Sequence, residues 1–83
     1  MKLVDKIMTD YAGEELVFAN GFDRAVLGIE MDSLRIIYSV KKCIHILMRS
    51  GDMDHHEALD FFDSKIANVD LGPKTPIWCD DLV

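Results

Sequence analysis

Basic residues are scarce in this chain. Nine Lys and Arg stand against fifteen Asp and Glu, a formal net charge of −6. Binding along a phosphate backbone needs clustered cations, so direct nucleic-acid binding is not expected. Cysteine is scarce as well, with only Cys43 and Cys79. Two are too few for a disulfide scaffold, and the thiols read as reduced in a cytoplasmic protein. No apolar run approaches the roughly 18–20 residues of a membrane span. The start, Met1-Lys2-Leu3-Val4-Asp5-Lys6, reaches charge too early for the apolar core of a signal peptide.

What is present is apolar mass in a short chain. Of 83 residues, 49% are hydrophobic, enough for a core and more than a disordered chain carries. One domain over residues 1–83 is expected, with a thin core, because so short a chain buries only about 60% of its unfolded surface. Apolar residues in excess of what such a core can hide point to self-association, so a homo-oligomer is expected.

The pattern along the chain is that of an α+β domain. A short amphipathic helix lies within 1–12, where Leu3, Val4, Ile7, Met8 and Tyr11 share one arc at about 100° per residue. Residues 15–38 read as strands: Leu16–Ala19, then the hairpin signal Asn20-Gly21, then Arg24–Glu30 and Leu34–Tyr38. A rival reading makes 22–28 a loop or single helical turn capped by Asp23. Residues 39–50 form a helix capped by Ser39, with Val40, Cys43, Ile44, Ile46, Leu47 and Met48 on its apolar side. A second main helix spans 54–67, opened by Asp54 and Glu57 in a capping-box arrangement, with Ala58, Leu59, Phe62 and Ile66 as its buried face and His55 in line. The tail, 68–83, is punctuated by Gly72-Pro73 and Pro76 and carries a possible edge strand over Pro76–Cys79. Its acidic end, Asp80-Asp81-Leu82-Val83, reads as a fraying terminus. The expected architecture is a small antiparallel sheet of two to four short strands, packed against two main helices and the short N-terminal one.

No recognised catalytic or metal motif interrupts this scheme. The cluster Asp52–Glu57 has metal-ligand residue types. However, His55 and His56 point about 100° apart on a helix, whereas a zinc helix places its histidines at i and i+4. The calcium-loop spacing is missing too. No metal and no cofactor are expected. Cys43 sits on the apolar arc of its helix and His45 on the polar one, so they do not form a nucleophile–base pair. The candidate contacts are therefore surfaces. Lys41, Lys42, His45 and Arg49 form a basic stripe suited to an acidic partner or a phosphate. Asp60 and Asp63 form an acidic edge on the next helix. Trp78 reads either as a lid over the core or as an interface anchor.

Certain words of the chain are familiar. Gly21-Phe22-Asp23-Arg24-Ala25 with Gly28-Ile29, then Tyr38, Lys42-Cys43-Ile44 and Ile46-Leu47, resemble a group of small bacteriophage-encoded proteins without an assigned function. Met53, Glu57-Ala58, Phe61-Phe62, Asn68, Gly72 and Thr75-Pro76-Ile77 continue the likeness, which covers residues 21–78. These words are structural punctuation, so no catalytic or binding residue is carried over. The resemblance implies a phage source and action in the host cytoplasm. By analogy with small accessory proteins it also implies a non-enzymatic interaction with a host protein, as an inhibitor of a defence or nucleic-acid-handling factor. The other expectation is an oligomer that binds or sequesters a nucleotide, its phosphates held by Lys41, Lys42 and Arg49.

Overall fold

The computed structural model describes residues 3–81. Helix α1 (Leu3–Asp10) is followed by an extended stretch and a 3-10 turn at Asp23–Ala25. Strands β1 (Val26–Ile29) and β2 (Ile36–Ser39) lead into helix α2 (Val40–Ser50). Helix α3 (His55–Phe62) continues into a wider π-type turn at Asp63–Ala67, and strand β3 (Ile77–Cys79) closes the fold. No helix among the described residues is long and apolar enough to cross a membrane.

The α+β class and the helix pattern are as the sequence leads one to expect, but the sheet is mixed, not antiparallel. Its strand order is β1-β2-β3, with β1 antiparallel to β2 and β2 parallel to β3. The direction follows from what lies between. A parallel pair needs a long crossover, and α2 with α3 supplies it, returning the chain to the same end of β2. Pro76 is buried at the entry to β3, an edge strand, where a missing N–H is tolerated.

Two stretches read as strand behave otherwise. Leu16–Ala19 pairs with no strand among the described residues. It lies partly buried over the core instead, and the Ala19 N–H donates to Tyr38 Oη at 2.7 Å. One phenol thus satisfies an amide that a sheet neighbour would otherwise take. Asn20-Gly21 does turn, with Gly21 at φ +91°, but it leads into the 3-10 turn and not into a hairpin strand. Leu34 is also outside the sheet. At φ +56° it occupies the left-handed region, which costs a non-glycine residue roughly 1–2 kcal/mol. The loop offsets that strain locally. Glu30 accepts from the Asp32 N–H at 3.1 Å, the Ser33 N–H at 2.6 Å and the Ser33 hydroxyl at 2.7 Å. Those bonds, the Ser33 amide first, hold its carboxyl below the ordinary range.

The helix ends are capped as their residues suggest. Ser39 Oγ accepts from the Lys42 N–H at 3.1 Å and opens α2. Asp54 and Glu57 form a reciprocal capping box, with 2.8 Å and 3.3 Å bonds, and open α3. That box holds the Asp54 carboxyl low, chiefly through the Glu57 amide. Ser39 has a second role. Its hydroxyl donates to the Asp81 carboxylate, so the tail expected to fray is tied to the start of α2 as far as Asp81. Leu82 and Val83, the rest of that acidic end, lie outside the described residues, as do Met1 and Lys2 of the first helix.

The core gathers one side of every element. Val4 and Ile7 come from α1, Ala25 and Val26 from the turn and β1, and Ile36 and Tyr38 from β2. Cys43, Ile44 and Leu47 come from α2, and Ala58 and Phe62 from α3. Within the α1 arc, Val4 and Ile7 are buried by their own chain, while Leu3 and Met8 are 40% and 53% exposed. Leu59, expected in the α3 core face, is 41% exposed, and His55 is exposed as well. Trp78 bridges sheet and helix. Its ring centroid lies 5.1 Å from Tyr38 and 5.2 Å from Phe62, the latter edge-to-face at 87°.

Three outcomes follow. Phe62→Ala is expected to lose about 3–5 kcal/mol of unfolding free energy, measured by denaturant titration; a loss under 1 kcal/mol, on the order of a surface change, would contradict its place in the core. Ile7→Asp is expected to abolish the cooperative melt in circular dichroism, since it buries a charge; an unchanged melt would remove α1 from the core. The third concerns acid. The carboxyls of Glu30, Asp54 and Asp81 are all held low, that of Asp81 chiefly by the Ser39 hydroxyl. A depressed folded-state value stabilises above the unfolded value, and the gain is lost as pH falls through the folded one. Melting temperature is therefore expected to drop below about pH 4. Asp81→Asn is expected to flatten part of that drop, and an identical acid limb would show that the tie contributes nothing.

Candidate functional site

Three of the four stripe residues of α2 converge on one cleft. Lys42, His45 and Arg49 recur at i, i+3 and i+7, which stacks them along a single helical face. All are exposed, and between them Ile46 is half-buried. Arg24, from the 3-10 turn before β1, supplies the opposite wall, and Ser50 closes one end. The cleft is open to solvent and has a volume of about 340 Å³. A second chamber of about 270 Å³ adjoins it and shares Arg24, Ile46 and Ser50, with Asp23 and Gly21 on its far side.

The electrostatics of this cleft are one-sided. Lys6–Asp10 and His56–Asp60 form ion pairs at 3.5 Å, each across one helical turn, and none of these four residues lines the cleft. Arg24, His45 and Arg49 form neither an ion pair nor a side-chain hydrogen bond with any other described residue. Lys42 is close enough to Asp81 to help lower its carboxyl, as is Lys41. The cleft can therefore offer two guanidinium forks, an ammonium and an imidazole to an anion, over an apolar floor. Guanidinium forks match carboxylate and phosphate oxygens in pairs.

Lys41 is the stripe residue that turns away. It lines a separate groove of about 420 Å³ between α2 and α3, with Val40, Ile44, His45, Leu59 and Asp81. Asp60 lies on α3 in a shallow depression of about 370 Å³ that Met53, Glu57, Phe61, Ser64 and the cationic Lys65 also line. Asp63 is exposed at the start of the π-type turn and does not line that depression. Trp78 packs between Tyr38 and Phe62, apart from both surfaces. Its indole Nε1 is buried and donates to no described residue.

Arg24 is the cleft residue that sequence reasoning does not find. It precedes α2 by a whole hairpin, in a segment that reads as strand. Its sequence signal is the rival reading of a helical turn at Asp23, and the 3-10 turn is what aims Arg24 beside α2. Cys43 is enclosed in the core, and burial pushes its thiol up to about 12. A thiol so placed stays protonated and a poor nucleophile. The Tyr38 phenol is pushed up by burial too, partly offset by the Ala19 amide. Among the described residues, no three His, Cys, Asp or Glu side chains gather as a metal would require. No family model, no curated protein and no solved structure matches the chain.

Proposed function

We propose that this chain is a small, acidic, non-enzymatic interaction protein of phage type, which docks on an acidic surface of a host cytoplasmic protein and blocks it. The host factor is one of defence or nucleic-acid handling. The observation that carries this reading is the convergence of Arg24, Lys42, His45 and Arg49 on one cleft in a chain of net charge −6. An acidic protein has carboxylates enough to neutralise its few cations, yet Arg24, His45 and Arg49 form no ion pair with a described residue. Charge left unpaired in this way steers an oppositely charged partner and fixes its register. Helix α2 carries Lys42, His45 and Arg49 and the 3-10 turn carries Arg24, so the backbone of the site is formed before a partner binds and only the side chains are left to order.

A second reading, an oligomer that binds a nucleotide, is favoured by the dimensions of the cleft. Its two adjoining chambers together fall within the volume range of small-ligand sites. Affinity capture from bacterial lysate at low salt separates the two. A stoichiometric protein is expected to accompany the wild type and to be absent from the double variant Arg24→Glu/Arg49→Glu. Elution of that protein is expected on raising the salt, since exposed charges are screened. A partner that the reversed variant still captures would overturn the docking reading. A nucleotide in the eluate, without a protein, would replace it with the second.

A further inference from the structure

The charge of the cleft differs between its two sides. At about 100° per residue, His45, Arg49 and Lys42 fall within about 60° of arc on α2. Ile46 follows about 40° past Lys42, and Ser50 about 40° past Ile46. The two chambers divide along that order. The larger takes all five residues, while the smaller keeps only Ile46 and Ser50 of α2 and adds Gly21 and Asp23. Arg24 lines both, so the larger chamber holds bases alone and the smaller one charge of each sign. Asp23 is exposed and forms no ion pair or side-chain hydrogen bond with another described residue. It does not pair with its neighbour Arg24, since consecutive residues of a 3-10 turn diverge by about 120°. A segment crossing α2 therefore meets bases, then the half-buried Ile46, then a carboxylate.

We infer that the cleft takes a dipolar segment of a partner protein, with an acidic side chain among the bases, an apolar one over Ile46 and a basic one on Asp23. The inference rests on the docking reading and deepens it, because it states what the docked surface must carry. An extended segment suits the order, since its alternate side chains share one face at a spacing of about 7 Å. Charge complementarity selects this occupant. A polyanion, whether a run of acids or a phosphate backbone, satisfies the larger chamber but sets like charges together at Asp23. Such a juxtaposition acts against wrong partners, while the bases and Ile46 attract the right one. Asp23 is thus the specificity-determining residue of the cleft, and the bases supply the attraction.

Titration of the full chain with capped pentapeptides at low salt, followed by nuclear magnetic resonance of the backbone amides, tests it. The probes are acetyl-Glu-Ser-Leu-Ser-Lys-amide and the all-acid acetyl-Glu-Ser-Leu-Ser-Glu-amide. Wild type is expected to bind the dipolar peptide about threefold more tightly, the scale of an exposed charge contact, with shifts at Arg24, Ile46 and Arg49. Asp23→Asn is expected to level that preference and Asp23→Lys to reverse it. Asp63→Lys changes the net charge as much as Asp23→Lys but lines neither chamber, and it is expected to keep the wild-type order. An all-acid peptide bound as tightly as the dipolar one overturns the inference, and so does an Asp23→Lys variant that keeps the wild-type order. No binding of either peptide at millimolar concentration, or adenosine monophosphate bound more tightly than both, overturns it too. Failure of the docking reading looks different. Host capture would then be absent from the wild type while the two peptides still rank as stated.

Discussion

The return of the chain to β2 is the constraint on which the rest depends. Strand β3 pairs parallel to β2, residue by residue from Ile37↔Ile77 to Ser39↔Cys79. That pairing places Trp78 between the Tyr38 ring of the sheet and the Phe62 ring of α3. Aromatic pairs at such separations contribute about 0.5–1.5 kcal/mol each beyond the area they bury. For a domain whose whole stability is about 5–15 kcal/mol, two of them matter. The tail also fastens at both sides of β3. Thr75 O accepts from Arg35 Nε, Lys74 Nζ donates to Ser33 O at 2.7 Å, and Asp81 takes the Ser39 hydroxyl. A small chain with few staples thus closes itself by returning its last strand beside the strand that launches the helices.

The cleft inherits its geometry from that closure. Helix α2 starts at Ser39, the last residue of β2, so the direction of the strand sets the direction of the helix. Its buried side, Cys43, Ile44 and Leu47, fixes the rotation, and the opposite side must then present Lys42, His45 and Arg49. Arg24 arrives because the 3-10 turn packs against the same helix, with Ala25 fully buried as its anchor. The cationic surface is therefore a by-product of well-specified packing, and several of the chain's acids are engaged in bonds of their own. Asp54 and Glu57 cap α3, Glu30 braces the hairpin loop and Asp81 ties the tail.

How much of this was legible in the sequence varies with the physics of each part. Helix α2 was legible because periodicity, cap and stop signal agree over residues 39–51. The capping box of α3 was legible because it is a local rule, satisfied within Asp54–Glu57. The parallel sense of β3 was not, since strand direction depends on a crossover spanning residues 40–76. Leu16–Ala19 reads as strand because β-propensity describes a fit to a half-buried surface; here that surface is the core itself, with Tyr38 standing in for a neighbouring strand. The cationic stripe of α2 was visible as a helical face. Its closure into a cleft was not, because Arg24 is brought in by tertiary packing. The exposed position of Leu59 shows the same limit: periodicity gives the arc of a helix, and the neighbour decides how much of the arc is covered.

Amide hydrogen exchange tests the central claim, that β3 closes the fold, most directly. The amides of β3 that bond to β2 are expected to exchange as slowly as those of β2, with both opening only in global unfolding. Rapid exchange over Ile77–Cys79, with β2 and α2 still protected, would contradict it and show that the sheet and the cleft stand without their last strand.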